Sequence, residues 1–302
     1  MIDDLKIASH WNGLWTALVT PLDSELQLDK KSFQSLVKSL DNKTHKGFII
    51  AGSTGEGSLI GSSTYKELLS FSRKTIPEQY PLVAGLGIGG TLEQLENLKL
   101  AKNLGYQAVL SSVPAYVKPT QKGIFNHYVA LAQHNIPVCV YEIPGRAAST
   151  ISINALKKLN SLYPDIFTAT KDATGNLQRQ RNQVNELSPK MALLSGDDFS
   201  YVDFLELGGH GIISVASHIF SKEFKYIFDN ARGNPEKCHQ LLKELKPSIN
   251  SLFSESNPIP VKSYLKEEEI ISQAHFCPPL HSMSSDKMKE LKFNLKGYHA
   301  KK

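Results

Sequence analysis

A chain of 302 residues with 41% hydrophobic content is long enough for one large core or two modest ones. Its net charge of +5, from 34 basic against 29 acidic residues, is scattered rather than gathered in stripes with aromatics between them, which argues against a nucleic-acid partner. No apolar run is long enough to span a bilayer, and the polar opening Met1-Ile2-Asp3-Asp4 does not read as a signal peptide, so a cytoplasmic protein with no membrane partner is expected. The three cysteines, Cys139, Cys238 and Cys277, are odd in number and widely spaced, and suggest neither a disulfide framework nor a zinc site.

Short β-rich runs alternate with amphipathic stretches from the start of the chain. The runs are 14–20, 47–51, 82–85, 108–112, 138–141, 167–171, 192–195 and 211–215. Between them the 3.6-residue period predicts helices at 32–40, 65–75, 91–104, 120–134 and 177–187, several opened by a capping Ser or Thr. Continuous apolar strands in such an alternation imply a parallel sheet covered by helices, and eight of them favour closure into a (β/α)8 TIM barrel over an open doubly wound sheet. After about residue 220 the strand signals stop, and helical patterns follow around 236–253 and 285–295. The expected organisation is a catalytic barrel over 1–233 and a C-terminal helical extension over 234–302.

In a barrel of this kind chemistry belongs at the C-terminal ends of the strands and in the loops after them. Lys171 closes the sixth run and is followed by the turn Asp172-Ala173-Thr174-Gly175-Asn176. A lysine at the inner end of an apolar strand must reach water, pair with an acid or surrender its proton. Burial disfavours a charged amine, and the neutral amine is a nucleophile able to form a Schiff base with a ketone. Taken alone, a lysine at a strand end is more often a surface residue. Tyr141 ends the preceding run, so the barrel makes the two side chains neighbours and gives the amine a phenol with which to exchange protons. Arg146, past the turn Pro144-Gly145, is placed to bring a fork of donors to a carboxylate. Gly52-Ser53-Thr54-Gly55-Glu56 offers backbone N–H groups and two hydroxyls at the second strand's end, as a cradle for a small carboxylate or simply as a tight turn.

The segment Gly85-Leu86-Gly87-Ile88-Gly89-Gly90 satisfies GxGxxG between a strand and a helix, so a nicotinamide-dependent oxidoreductase is the rival reading. That fingerprint also wants a carboxylate at the end of the next strand, which here ends in Ser111-Ser112-Val113-Pro114. A glycine-rich barrel loop fits the segment better. There is no HExxH pair or other metal-ligand spacing and no GxSxG elbow, so no metal and no cofactor is assigned.

Five segments stand in order: Gly52-Ser53-Thr54-Gly55-Glu56, Pro114-Ala115-Tyr116-Val117-Lys118-Pro119-Thr120, Tyr141-Glu142-Ile143-Pro144-Gly145-Arg146, Lys171-Asp172-Ala173-Thr174-Gly175 and Ser195-Gly196-Asp197-Asp198. With them the chain resembles the dihydrodipicolinate synthase family, among the N-acetylneuraminate lyase-type class I aldolases. Ala17-Leu18-Val19-Thr20-Pro21, the stretch from Gly208 to Val215, and Asn257-Pro258-Ile259-Pro260-Val261-Lys262 extend the likeness from about Asn12 to Pro279. The resemblance implies a lyase in which Lys171 forms an imine with pyruvate, whose enamine attacks aspartate semialdehyde on the way to lysine and diaminopimelate. It implies Tyr141 as the proton-transfer residue, linked through Ser53 to Tyr116, which in this family reaches across from a partner subunit of a dimer or tetramer. Thr54 and its loop would hold the pyruvate carboxylate and Arg146 the semialdehyde carboxylate, with the Ile213 carbonyl and Gly196 at the pocket.

The chain also departs from the family pattern. Ser53 stands where threonine is usual, Glu142 where asparagine is usual, and Ala147 where threonine is usual. A carboxylate at Glu142 beside the site would weaken binding of an acidic substrate, which keeps open another pyruvate-dependent aldolase of the same superfamily, acting on sialic or keto-deoxy sugar acids, or a non-catalytic pyruvate-binding relative. Ala115, Gly89, Ser62 and Tyr65 replace the residues of lysine-inhibited relatives, although Glu93 remains, so insensitivity to lysine is expected.

Overall fold

The structure is a computed structural model that describes residues 10–40 and 43–299. The expectations for residues 1–4 therefore lie outside the described residues. Eight parallel strands close into a barrel in chain order: β1 (Gly13–Ala17), β2 (Gly47–Ile50), β3 (Leu82–Gly85), β4 (Ala108–Ser112), β5 (Val138–Glu142), β6 (Ala169–Asp172), β7 (Ala192–Ser195) and β8 (Gly211–Ser214). Pairing of Trp15 with Ile213 joins β1 to β8 and shuts the ring, which excludes the open sheet.

Each strand is buried along its whole length, because its two faces meet different apolar surroundings. Phe48, Ile50, Val109, Val140, Leu193 and Ile212 point outward into the sheath of helices. Trp15, Ile49, Val83, Leu110, Tyr141 and Leu194 point inward and fill the barrel. Trp11 and Trp15 close its N-terminal end, their rings 5.1 Å apart, and the Trp11 Nε1 donates to Thr168 Oγ1 at 3.1 Å.

Helices Lys30–Leu40, Ser62–Thr75, Thr91–Asn103, Gln121–Ala132 and Leu177–Leu187 occupy the predicted positions. Their starts shift because the caps do. Thr120 caps its helix as expected, accepting from Gly123 N at 3.2 Å, but Asp29 takes that role ahead of Ser32, and Gly90 precedes Thr91 without any side-chain cap. Beyond the barrel helix Ser221–Asn230 come Pro235–Leu252, Ile259–Glu267 and Ser285–His299. Periodicity missed the second of these three because residues 259–265 are all buried, Lys262 and Ser263 among them, so polar residues there do not mark an outer face.

Candidate active site

Alternation along β5 and β6 decides which side chains share a compartment, since successive residues face opposite sides of a sheet. Tyr141 pairs with Lys171 in register, and both lie on the inward face with Cys139 and Ala169. Lys171 is buried, and its Nζ sits 4.2 Å from the centroid of the Tyr141 ring. Gly196, one residue past β7, leaves the room this requires: a Cβ there would lie 2.8 Å from Lys171 Cε and 2.8 Å from Ala173 Cβ.

The loop after β2 supplies the facing wall. Gly52, Ser53 and Tyr141 line one small cavity with Gly85 and Ser112. Thr54 is buried, its hydroxyl accepting from Asn257 Nδ2 at 2.9 Å. Glu56 holds a positive φ of 55° and sends its carboxylate inward, where Oε1 meets Lys262 Nζ at 2.7 Å and Oε2 accepts from Cys277 N at 2.8 Å. The Lys262 amine also donates to the His275 carbonyl and lies 5.0 Å from the Phe276 ring centroid. Burial pulls the Lys262 ammonium downward from its ordinary range, while Glu56 pulls it back up. Two segments that the sequence separates by about 200 positions are thereby bolted together, a connection no local pattern could announce.

Arg146 is exposed on the turn after β5 and donates from Nη2 to the Asn257 carbonyl at 2.9 Å. Ile213 is buried in the barrel interior. Tyr116 stands apart: it is 94% exposed with a φ of 74°, on the loop after β4, and within one chain it does not join the Lys171 group.

Glu142 does not line this pocket. As the neighbour of Tyr141 it faces outward, buried against the helix Leu177–Leu187, where its Oε2 accepts from Arg179 Nε at 2.9 Å and from Arg179 Nη2. Asp172, next to Lys171, faces the same way, and its Oδ2 lies 3.5 Å from Arg179 Nε. The expected repulsion of an acidic substrate by Glu142 therefore has no geometric basis. Arg179 is the residue that the sequence reading missed, and the only available signal was the unusual carboxylate at Glu142.

The glycine-rich loop after β3 is packed tight. A Cβ on Gly85 would fall 2.4 Å from the Ala51 carbonyl oxygen, one on Gly89 would strike the Glu93 carboxylate, and Tyr65 donates its hydroxyl to the Gly85 carbonyl at 2.8 Å. Gly85 serves close packing between β2 and β3, and Gly89 makes room for the Glu93 carboxylate of the helix that follows. Away from the mouth, Asp203, Glu206 and His239 each bring one potential ligand atom within 4.8 Å of the others, on an outer face.

The model of the dihydrodipicolinate synthetase family matches residues 10–297. The chain is 32% identical over 292 residues to a 4-hydroxy-tetrahydrodipicolinate synthase of Bdellovibrio bacteriovorus, covering 95% of this chain and 98% of the relative. Among solved structures, the chloride-inhibited dihydrodipicolinate synthase of Acinetobacter baumannii complexed with pyruvate superposes with a TM-score of 0.90 at 32% identity, covering 95% and 99% of the two chains. The enzyme of Cyanidioschyzon merolae with lysine bound gives 0.91 at 30% identity, covering 96% and 99%. A closed barrel carrying a buried strand-end lysine beside a tyrosine, matched in sequence and in shape over nearly its whole length, belongs to the dihydrodipicolinate synthetase family.

Proposed function

We propose that the protein is a lyase of the class I aldolase type that condenses pyruvate with aspartate semialdehyde to give 4-hydroxy-tetrahydrodipicolinate, in lysine and diaminopimelate synthesis. The observation that carries this is the buried Lys171 amine held 4.2 Å from the Tyr141 ring centroid at the barrel mouth. The amine attacks the pyruvate carbonyl carbon, water leaves, and the imine forms. Loss of a methyl proton gives an enamine, whose carbon attacks the aldehyde. The semialdehyde's own amine then displaces Lys171 and closes the ring.

Tyr141 carries the protons of these steps, and Ser53, which lines the same cavity, relays them. Tyr116 supplies the outer end of that relay from a partner subunit: an aromatic ring 94% exposed at a positive φ is suited to insertion into a second copy, and a homodimer or homotetramer follows. Thr54 and its loop hold the pyruvate carboxylate, with Gly196 and the Ile213 carbonyl on the opposite wall. Arg146 exchanges the Asn257 carbonyl for the carboxylate of the semialdehyde, a better partner for a guanidinium. With Glu142 outside the pocket, the reason for preferring a sugar-acid aldolase is gone. Inhibition by lysine is absent on this reading, since Tyr65 spends its hydroxyl on Gly85 and Gly89 has no side chain. We assign 1–233 to the catalytic barrel and 234–302 to the C-terminal helical extension, which among the described residues meets the loop after β2 through Lys262 and Glu56, and the cytoplasm is the expected compartment.

Incubation with pyruvate followed by borohydride reduction tests the central step. The three-carbon adduct is expected on Lys171 by peptide mapping, and an unlabelled Lys171 would overturn the aldolase reading.

A further inference from the structure

Arg179 reaches in two directions from the outer side of β5 and β6. Its Nε and Nη2 hold Glu142 Oε2, and the same Nη2 donates to the Ile151 carbonyl at 2.7 Å. Ile151 is buried and ends the segment that begins at Arg146, five residues earlier. Glu142 closes β5 four residues before Arg146, at the other end of the same turn. The guanidinium therefore ties both roots of the Arg146 turn to one point, directly behind the Tyr141–Lys171 pair. Asp172 shares the guanidinium at 3.5 Å, while its Oδ1 is occupied by Thr174 N at 2.9 Å.

We propose that Glu142 is a positioning residue for the second substrate: through Arg179 it fixes the segment carrying Arg146 and so sets the affinity for the carboxylate of the aldehyde. The inference rests on the aldolase reading above. A guanidinium shared among two carboxylates and a carbonyl is locked in a plane, and the loop it holds loses the freedom to swing Arg146 away. An asparagine at this position could accept from Arg179 but would not add charge to the bond.

The tie is also sensitive to pH. Burial pushes the Glu142 carboxyl up to about 7, against the pull of Arg179 and with the help of Asp172. Facing it are Arg179 and Asp172, together with the buried phenol of Tyr128, whose hydroxyl is committed to the Ser111 carbonyl at 3.1 Å. Above that range the carboxylate grips Arg179; below it a neutral acid does so more weakly, and affinity for the aldehyde falls as pH drops.

Steady-state kinetics of the wild type, Glu142→Gln and Arg179→Lys test this, with KM followed separately for each substrate. Arg179→Lys keeps a cation beside Glu142 but cannot also reach Ile151 with a planar fork. Both variants are expected to raise KM for the semialdehyde about fivefold at about pH 8, with KM for pyruvate held within about twofold. The wild-type KM for the semialdehyde is expected to rise between about pH 8 and pH 6, and Glu142→Gln to abolish that rise. A semialdehyde KM unchanged in both variants, or one that does not vary with pH in the wild type, overturns the inference while borohydride still labels Lys171. Loss of labelling in the wild type instead overturns the aldolase reading, and this inference with it.

Discussion

Lys262 with Glu56 and Arg179 with Glu142 are ion pairs that hold a buried carboxylate at the C-terminal end of the barrel, yet their surroundings differ, since Lys262 is buried and Arg179 only half-buried. In the first pair both carboxylate oxygens have donors, and the amine has a second acceptor and an aromatic face. In the second, Glu142 Oε1 and Asp172 Oδ2 have no hydrogen-bond donor, and two carboxylates divide one guanidinium. A fully partnered pair acts as a fixed bolt, here joining the C-terminal helices to the loop after β2. An under-partnered one has slack that protonation can exploit, because a buried carboxylate without enough donors favours its neutral form. The same barrel rim thus holds a permanent joint on one side and an adjustable one on the other.

The hardest blow to that contrast would come from the bolt. Replacing Lys262→Met strands the Glu56 carboxylate in the interior and is expected to cost about 3 to 5 kcal/mol in urea unfolding. A loss below about 1 kcal/mol would mean that the pair is no more than a bystander. The adjustable joint gives a smaller and pH-dependent effect. The folded Glu142 pKa of about 7 lies above its ordinary 4.5, so the native state keeps a proton that the unfolded chain has released. Stability is therefore lost as pH climbs from about 4.5 to about 7, by on the order of 3 kcal/mol from this group. Unfolding free energies of Glu142→Gln should fall less between about pH 5 and pH 8 than those of the wild type, and parallel curves would show that the group does not titrate there. Smallest of all is a pair outside both categories. Lys157 and Glu186 lie 2.7 Å apart with side chains 58% and 48% exposed, and Lys157→Ala should shift stability by no more than about 0.5 kcal/mol.

The barrel was legible because its strands are continuous apolar runs and most of its helices carry a clear stripe. Strand ends then put Lys171 and Tyr141 on one list of mouth residues before any contact was known. What stayed hidden needed three dimensions. The period of two along β5 places Glu142 opposite Tyr141, but a four- or five-residue apolar run does not say which alternate positions face the barrel interior. Arg179 sits on a helix turn among polar neighbours, where an ordinary solvated residue looks the same in sequence. Lys262 was hidden by its company, since a cation inside a buried helix is legible only with its distant acid. The glycines of the β3 loop raised a dinucleotide as a rival because a close backbone approach asks for the same residue whether the neighbour is a phosphate or Ala51, and the missing carboxylate after β4 was what favoured the barrel loop.

Both tryptophans of the chain, Trp11 and Trp15, sit in contact at the N-terminal end of the barrel, across its length from Lys171. Tryptophan emission of a single chain, excited apart from tyrosine, is consequently a gauge of how well β1 is seated against its neighbours, at the end of the barrel away from the chemistry. The first loosening of the barrel floor would change it at once.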